Sequence, residues 1–471
     1  MKIARPFAAA AAALVLAGCA TVAPDTTPPK PPAAVWQAAF AHAGDAKVLA
    51  DWWLRFDDPL LPALIADTQA SSPTLAQALA RLAEARAGLR SARAQAGPAV
   101  TGNALLQRAS NAGTGLVATT QASVGADASW ELDLFGGLGH RVDAARARTE
   151  GAALGWHDAR VSLAAEVAQT YIDLRSCEAL VAVYEQEAAS QATSARLTGD
   201  KVRVGFEAPA NGALADAAAA QTRDRLRAQA ADCAQLIKAL VLLTGQPEPT
   251  LRDRLAAARA QLPRPAEFGL PALPAAVLAQ RPDIAAAERE LIAAAADAGW
   301  ADAQRYPRIT IGGSIALGFL RIGGQTEDAV SWGFGPQLVL PLFDGGARNA
   351  QRDAALARVD GARATLDLKL RQAVCEVETA LVRVDAATRR EADATAAAQG
   401  FRAYFDAAES RWKIGAGSLI EMEDARRVAL AAQAGLIGVQ RERVAAWVAL
   451  YRAAGGGWSV ADALPLNTQN R

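Results

Sequence analysis

Residues 308–346 read RITIGGSIALGFLRIGGQTEDAVSWGFGPQLVLPLFDGG, and this stretch decides the fold. Odd positions carry Ile309, Ile311, Ile315, Leu317 and Phe319; the even ones between them carry Thr310, Gly312, Ser314, Ala316 and Gly318. Successive side chains of an extended chain point to opposite faces, so one face is bulky and apolar and the other small or polar. A Gly/acidic turn is expected over 323–328, after which the alternation resumes on Val330, Trp332, Phe334, Leu338, Leu340 and Leu342. Each run spans about ten residues, the length of a tilted strand that crosses a bilayer. A soluble edge hairpin alternates in the same way; apolar and aromatic residues on one face with glycine and serine on the other favour a lipid-facing barrel strand.

The stretch has an echo upstream. Trp130-Glu-Leu-Asp-Leu-Phe135-Gly136-Gly137 matches Leu340-Pro-Leu-Phe343-Asp344-Gly345-Gly346, with Phe135 and Phe343 208 residues apart. Pro98 and Pro307 open the two strand pairs 209 apart, and Gly205 and Gly415 follow Val202-Arg-Val and Trp412-Lys-Ile 210 apart. Three anchors at one offset make the chain an internal two-fold repeat. Each half is expected to run helix, strand, strand, long helix, turn, helix.

In the first half the expected elements are a helix over 75–96, a strand over 100–107 and a second strand ending near Leu134. That strand sets Val124, Ala126, Ala128, Trp130, Leu132 and Leu134 against Ser123, Asp127, Ser129 and Asp133. A helix over about 137–204 follows, roughly 100 Å long at 1.5 Å per residue. Val167, Tyr171, Leu174, Cys177, Val181 and Tyr184 recur along it at three-four spacing, a coiled-coil seam. The second long helix, about 347–413, repeats the seam with Val359, Leu366, Leu370, Ala373, Val377, Ala380 and Val384. Returning helices are expected over 214–243 and 419–452, and the Pro-rich link 246–274 separates the halves. Seams so rich in alanine let helices approach closely, as in a sheet of helices curled into a tube.

The first residues read as a targeting segment. Lys2 and Arg5 form a positive n-region and residues 7–15 an apolar h-region too short to span a bilayer as a helix. Leu16-Ala17-Gly18-Cys19 resembles the bacterial lipobox, which implies cleavage before Cys19 and acylation of that cysteine. Ala20, rather than aspartate, implies the outer membrane as destination. Pro24, Pro28, Pro29, Pro31 and Pro32 then make an extended tether. The expected segments are a signal peptide 1–18, a tether 19–50, repeats 51–250 and 251–460, and a tail 461–471.

Of 471 residues, 52% are hydrophobic and 21% charged, with formal net charge +0, a balance that does not suggest nucleic acid as a partner. Beyond the signal no run of eighteen apolar residues occurs. His42, His140 and His157 are scattered without metal-ligand spacing, and Gly136-Gly137-Leu138-Gly139 lacks a phosphate-loop pattern. No enzyme, cofactor or metal site is expected. Cys177 and Cys233 each lie 28 residues from Gly205. In an antiparallel pair turning there they sit at equal heights, where a disulfide or two buried thiols both fit.

Four membrane strands cannot stand alone, because lipid satisfies no open sheet edge. Several chains must close one barrel. Two would give eight strands filled by side chains; three would give twelve and an aqueous lumen, which the Gly/Ser/Thr faces suit.

The chain resembles the TolC/OprM-like outer-membrane factors of tripartite efflux pumps, lipoprotein branch. The stretches that carry the likeness are Asp51-Trp-Trp-Leu-Arg-Phe-Asp-Asp-Pro-Leu60, Trp130 to Gly137, Arg281-Pro-Asp-Ile-Ala-Ala-Ala-Glu288, Leu340 to Gly346, and Tyr451-Arg-Ala-Ala-Gly-Gly-Gly-Trp458. The resemblance implies a mixed α/β membrane protein: a trimeric β-barrel with four strands per chain, continuous with a periplasmic α-helical barrel. It implies as partners a periplasmic adaptor (a membrane fusion protein) and an inner-membrane transporter of the resistance-nodulation-division class. The expected function is a passive outer-membrane duct for small molecules. An exit duct for secreted protein and a non-conducting coiled-coil lipoprotein are the competing readings.

The resemblance also points to a periplasmic gate. Glu421 and Asp424, three apart on one helical face, match the acidic residues that narrow the aperture, and Trp412 matches an aromatic that holds the turn. Gly417 stands where the TolC pattern has a basic residue tying the turns together. Ser418-x-x-Glu421 is also a capping box, a role that suits Glu421 better than gating, so Asp424 is the better gate residue.

Overall fold

The computed structural model describes residues 26–27, 52–110, 118–264, 278, 281–322 and 325–456. The expected signal peptide 1–18, Cys19, all but two residues of the tether, and the tail 461–471 lie outside the described residues.

After a 3-10 turn at Trp52–Arg55 come α1 (Leu60–Ser71), α2 (Pro73–Gln95), β1 (Ala99–Ala109), β2 (Thr119–Leu132), α3 (Gly137–Arg203) and α4 (Pro209–Thr244). The remainder is α5 (Glu248–Ala256), α6 (Pro282–Ala303), β3 (Arg308–Ile322), β4 (Gln325–Val339), α7 (Ala347–Lys413) and α8 (Leu419–Ala453). These elements form two compact units, one built on Leu79–Leu154 with Ala285–Lys369, the other on Gly155–Ile284 with Leu370–Arg471 and Pro31–Ala78. Each unit takes segments from both sequence halves.

The first unit holds one antiparallel sheet in the order β1-β2-β3-β4. Directly opposed residues share a face, and the register aligns the apolar positions of all four strands. Leu106 pairs with Ala122 and Val100 with Ala128. Val124 pairs with Leu317 and Trp130 with Ile311. Ile315 pairs with Trp332 and Leu317 with Val330. The opposite face carries Thr101, Asn103 and Gln107 on β1, Ser123, Asp127 and Ser129 on β2, Thr310 and Ser314 on β3, and Ser331 and Gln337 on β4. The apolar face of the sheet is bare: Trp332 and Phe334 are each 78% exposed. β1 and β4 each leave one edge unpaired, and Pro336, which has no N–H to give a ladder, lies on such an edge strand.

Three expectations for this unit need correction. β3 and β4 are 15 residues each, longer than the ten expected. Gln325, Thr326, Glu327 and Asp328 are strand rather than turn, paired with Ile322, Arg321, Leu320 and Phe319. Ladder hydrogen bonds to β3 outweigh the weak strand propensity of the acids. Leu340 and Leu342 fall outside β4, which stops at Val339; Pro341 has no N–H and ends the ladder.

The second unit buries the coiled-coil seams. Val167, Tyr171 and Leu174 of α3 are 0% exposed, as are Ala373 and Val377 of α7. Trp52 is fully buried with its ring 5.7 Å from Trp447 and 5.9 Å from Tyr451 on α8. Asp58 accepts from the Leu60 N–H at 2.9 Å and, through its other oxygen, from the Tyr171 hydroxyl at 2.5 Å. Burial, with that bond second, pushes the Tyr171 phenol well above its usual range. Arg281, just before α6, forks onto both Asp283 oxygens (2.9 and 2.8 Å) and reaches Glu376 (2.7 Å) and the Ala453 carbonyl (3.1 Å). The Arg281-Pro-Asp stretch is thus a clamp joining three helices. α5 interrupts what was expected to be a plain link: Pro247 precedes Glu248-Pro-Thr-Leu, and Leu251 and Leu255 are buried at helical spacing. Among the described residues no helix is long and apolar enough to cross a membrane.

Candidate gate at the helical turns

The two long helices end alike. At the end of α3 the Gly205 N–H bonds the Val202 carbonyl and the Phe206 N–H bonds Lys201; at the end of α7 Gly415 bonds Trp412 and Ala416 bonds Arg411. This is the Schellman arrangement, which needs a left-handed residue just past the helix. Gly205 (φ 79°) and Gly415 (φ 77°) supply it. The returning helix α4 begins at Pro209, earlier than the Leu214 expected, because proline is well suited to a first helical position. α8 begins at Leu419 as expected, with the Ser418 hydroxyl accepting from the Glu421 N–H at 3.0 Å.

The three residues singled out in the sequence fall in different surroundings. Trp412 is 4% exposed and packs with Phe405, Ala408, Leu419, Met422 and Ala425. The Lys201 ammonium of α3 lies 5.1 Å from the centre of its ring. Glu421 pairs with Arg411 across the turn, so its carboxylate is tied to the end of α7. Asp424 is the more exposed acid: its side chain is 61% exposed and pairs with the exposed Arg427 at 2.9 Å. The structure does not bring Glu421 and Asp424 into a common pair; one closes the turn and the other faces outward.

Cys177 of α3 and Cys233 of α4 are joined in a disulfide, with Cα atoms 5.6 Å apart. Cys375 is free and exposed.

A polar cluster that sequence reading missed lies behind the turn. Arg426 of α8 is 2% exposed. It donates to Glu423 (2.8 Å), to Ser190 (3.1 Å) and to Ser194 (3.0 Å), and its guanidinium lies 5.2 Å from the Phe405 ring centre. Glu187 of α3 stands 3.8 Å from its Nε, and the Gln191 amide donates to Glu423 at 2.8 Å. Burial raises the Glu187 carboxyl to about 7; Arg426 opposes the shift and Glu423 adds to it. One signal was present: Arg426 interrupts the buried stripe Met422, Ala425, Ala429, and arginine within an apolar stripe must carry its partners with it.

Comparison with known proteins places this architecture. The family model described as outer membrane efflux protein matches residues 64–246 and 273–456. The outer membrane protein OprJ of Pseudomonas aeruginosa is 31% identical over 472 residues, covering 98% of this chain and 97% of its own length. The solvent efflux pump outer membrane protein SrpC of Pseudomonas putida is 28% identical, covering 96% and 98%. Among solved structures, the outer-membrane channel OprN superposes with a TM-score of 0.80 at 28% identity, over 92% of this chain and 100% of that one. The family-model match, with the sheet and paired long helices it accompanies, means that the chain belongs to the outer membrane efflux protein family.

Proposed function

We propose that three copies of this chain close their sheets edge to edge into a twelve-stranded barrel in the outer membrane. The observation that carries this is the register. Four strands align Leu, Ile, Val, Trp and Phe on one face and Thr, Ser, Asn and Gln on the other, in a sheet with two unpaired edges. An open edge is costly in hydrocarbon, so the edges of neighbouring copies pair. The apolar face meets lipid and the polar face lines water. The starts of the two family-model segments, at residues 64 and 273, repeat the spacing of the sequence anchors and support an internal duplication.

The assembled trimer is a passive exit duct for small molecules delivered by a periplasmic adaptor and an inner-membrane resistance-nodulation-division transporter. Its turn ends at Gly205 and Gly415 form the periplasmic gate, where a threefold axis sets Asp424 near two copies of itself. Three carboxylates about an axis attract divalent cations. Asp424→Ala is therefore expected to raise single-channel conductance in planar bilayers and to weaken block by divalent cations added on the periplasmic side. An unchanged conductance and block would place the constriction elsewhere; no conductance from the parent chain would favour a structural lipoprotein.

Cys19 carries the lipid anchor of this reading. Cys19→Ser is expected to abolish metabolic labelling with a radioactive or clickable fatty acid. Labelling at the parent level in that variant would sink the assignment. The barrel strands are an independent anchor, so outer-membrane fractionation is expected to persist.

A further inference from the structure

A crowded ionic cluster lies inside the helix packing of the second unit. Glu187, on α3, is faced by Arg426 and Glu423 from α8, by Arg225 from α4 and by Arg402 from α7. Its side chain is 15% exposed. Two carboxylates share one buried guanidinium, whose Nε has no hydrogen-bond partner among the described residues. Nη1 goes to Glu423 and Nη2 to Ser190 and Ser194, which leaves Glu187 only the 3.8 Å approach of Nε. One helical turn further along α3, Gln191 is 2% exposed and its amide nitrogen is spent on Glu423. Its carbonyl oxygen Oε1 has no donor among the described residues. Residues four apart on a helix are neighbours, so Glu187 is positioned beside that orphaned acceptor.

We propose that Glu187 is a proton-binding site in the seam between α3 and α8, and that its protonation holds the α7–α8 hairpin against α3. A proton on this carboxyl removes a charge that burial disfavours and adds the one donor that Gln191 Oε1 lacks among the described residues. A buried acceptor left without a donor is costly, and so is a buried charge without a full partner.

The carboxyl is raised to about 7, chiefly by burial. Opened to water, it returns toward its ordinary value of 4.5. Between these limits the packed seam binds a proton that the open seam does not, so acid favours packing. The packed-to-open ratio rises about tenfold per pH unit as pH falls below 7, levelling off near 4.5. Above 7 the carboxyl is ionised in both states and this contribution is gone. The consequence for transport rests on the gate reading of the preceding subsection: periplasmic acidification closes the duct.

Spin labels on Thr193→Cys of α3 and Val428→Cys of α8, in the full chain carrying Cys375→Ser, report the seam by pulsed electron paramagnetic resonance between pH 5 and 8.5. The short-distance population is expected to grow on acidification with a midpoint near 7. Glu187→Gln, neutral, isosteric and still a donor, is expected to keep that population at every pH. A distance distribution indifferent to pH, or a Glu187→Gln variant that responds as the parent does, overturns the proposal. Planar-bilayer conductance separates the two readings. Conductance that falls with acid in the parent but not in Glu187→Gln supports both. A pH-responsive seam in a chain that never conducts supports the proton site and overturns the duct.

Discussion

Arg426→Ala is expected to destabilise the packing of α8 on α3 by about 3–5 kcal/mol, the cost of removing one member of a buried ionic set. The guanidinium is 2% exposed and satisfies Glu423, Ser190 and Ser194 at once. Its removal leaves Glu423 and Glu187 without the buried cation between them, beside the emptied volume over the Phe405 ring. Thermal or denaturant unfolding of the detergent-solubilised protein measures the loss. A control isolates the cause: Glu187→Gln, Glu423→Gln and Arg426→Met together replace the ionic set by neutral groups of similar size. That triple variant is expected to recover most of the stability, because a buried ion pair and its apolar replacement are often nearly equal. An Arg426→Ala protein within about 0.5 kcal/mol of the parent would show the cluster to be solvated, as surface substitutions behave.

The second large effect is expected from the covalent link at Cys177 and Cys233. The disulfide closes a loop with a sequence separation of 56 that contains the whole turn from α3 into α4. Restricting the unfolded chain over a loop of that size stabilises by about 4 kcal/mol in the chain-entropy treatment. The Cys177→Ser/Cys233→Ser variant, and the parent under reducing agent, are both expected to melt several degrees lower than the oxidised parent. The fall should be largest in urea unfolding probed within the α3–α4 hairpin. Equal stability with and without reducing agent would mean that the hairpin keeps its turn closed in the unfolded state too. Non-reduced peptide mass spectrometry confirms which species each sample contains.

Much of this molecule was legible because its elements are long and strictly periodic. The alternation from Ile309 to Phe319 marks a strand whatever it packs against, since side-chain direction is a local property of extended backbone. The three-four spacing of Val359, Leu366, Leu370 and Val377 marks a helix for the same reason, and all four are buried. Gly205 and Gly415 were readable as turns because only a left-handed residue ends a helix in the way observed there. Boundaries were less legible. Gln325 to Asp328 have turn composition but are strand, paired with Phe319 to Ile322 of β3.

What the sequence determined by itself is the list of elements: alternating strands feeding long seamed helices, twice over, with glycine where each long helix turns back. Only the tertiary structure decided which of them meet. β2 pairs with β3 although they lie in different halves of the chain, and that pairing sets the apolar face across all four strands. Arg281 finds Glu376 95 residues away, and Arg426 finds Ser190 236 residues away. A buried charge must find its partners wherever folding places them, and no local period records such a pairing. The proton site at Glu187 belongs to that second class. Its chemistry comes from four helices meeting at one carboxyl, and burial there, rather than any neighbour in the chain, raises its affinity for a proton.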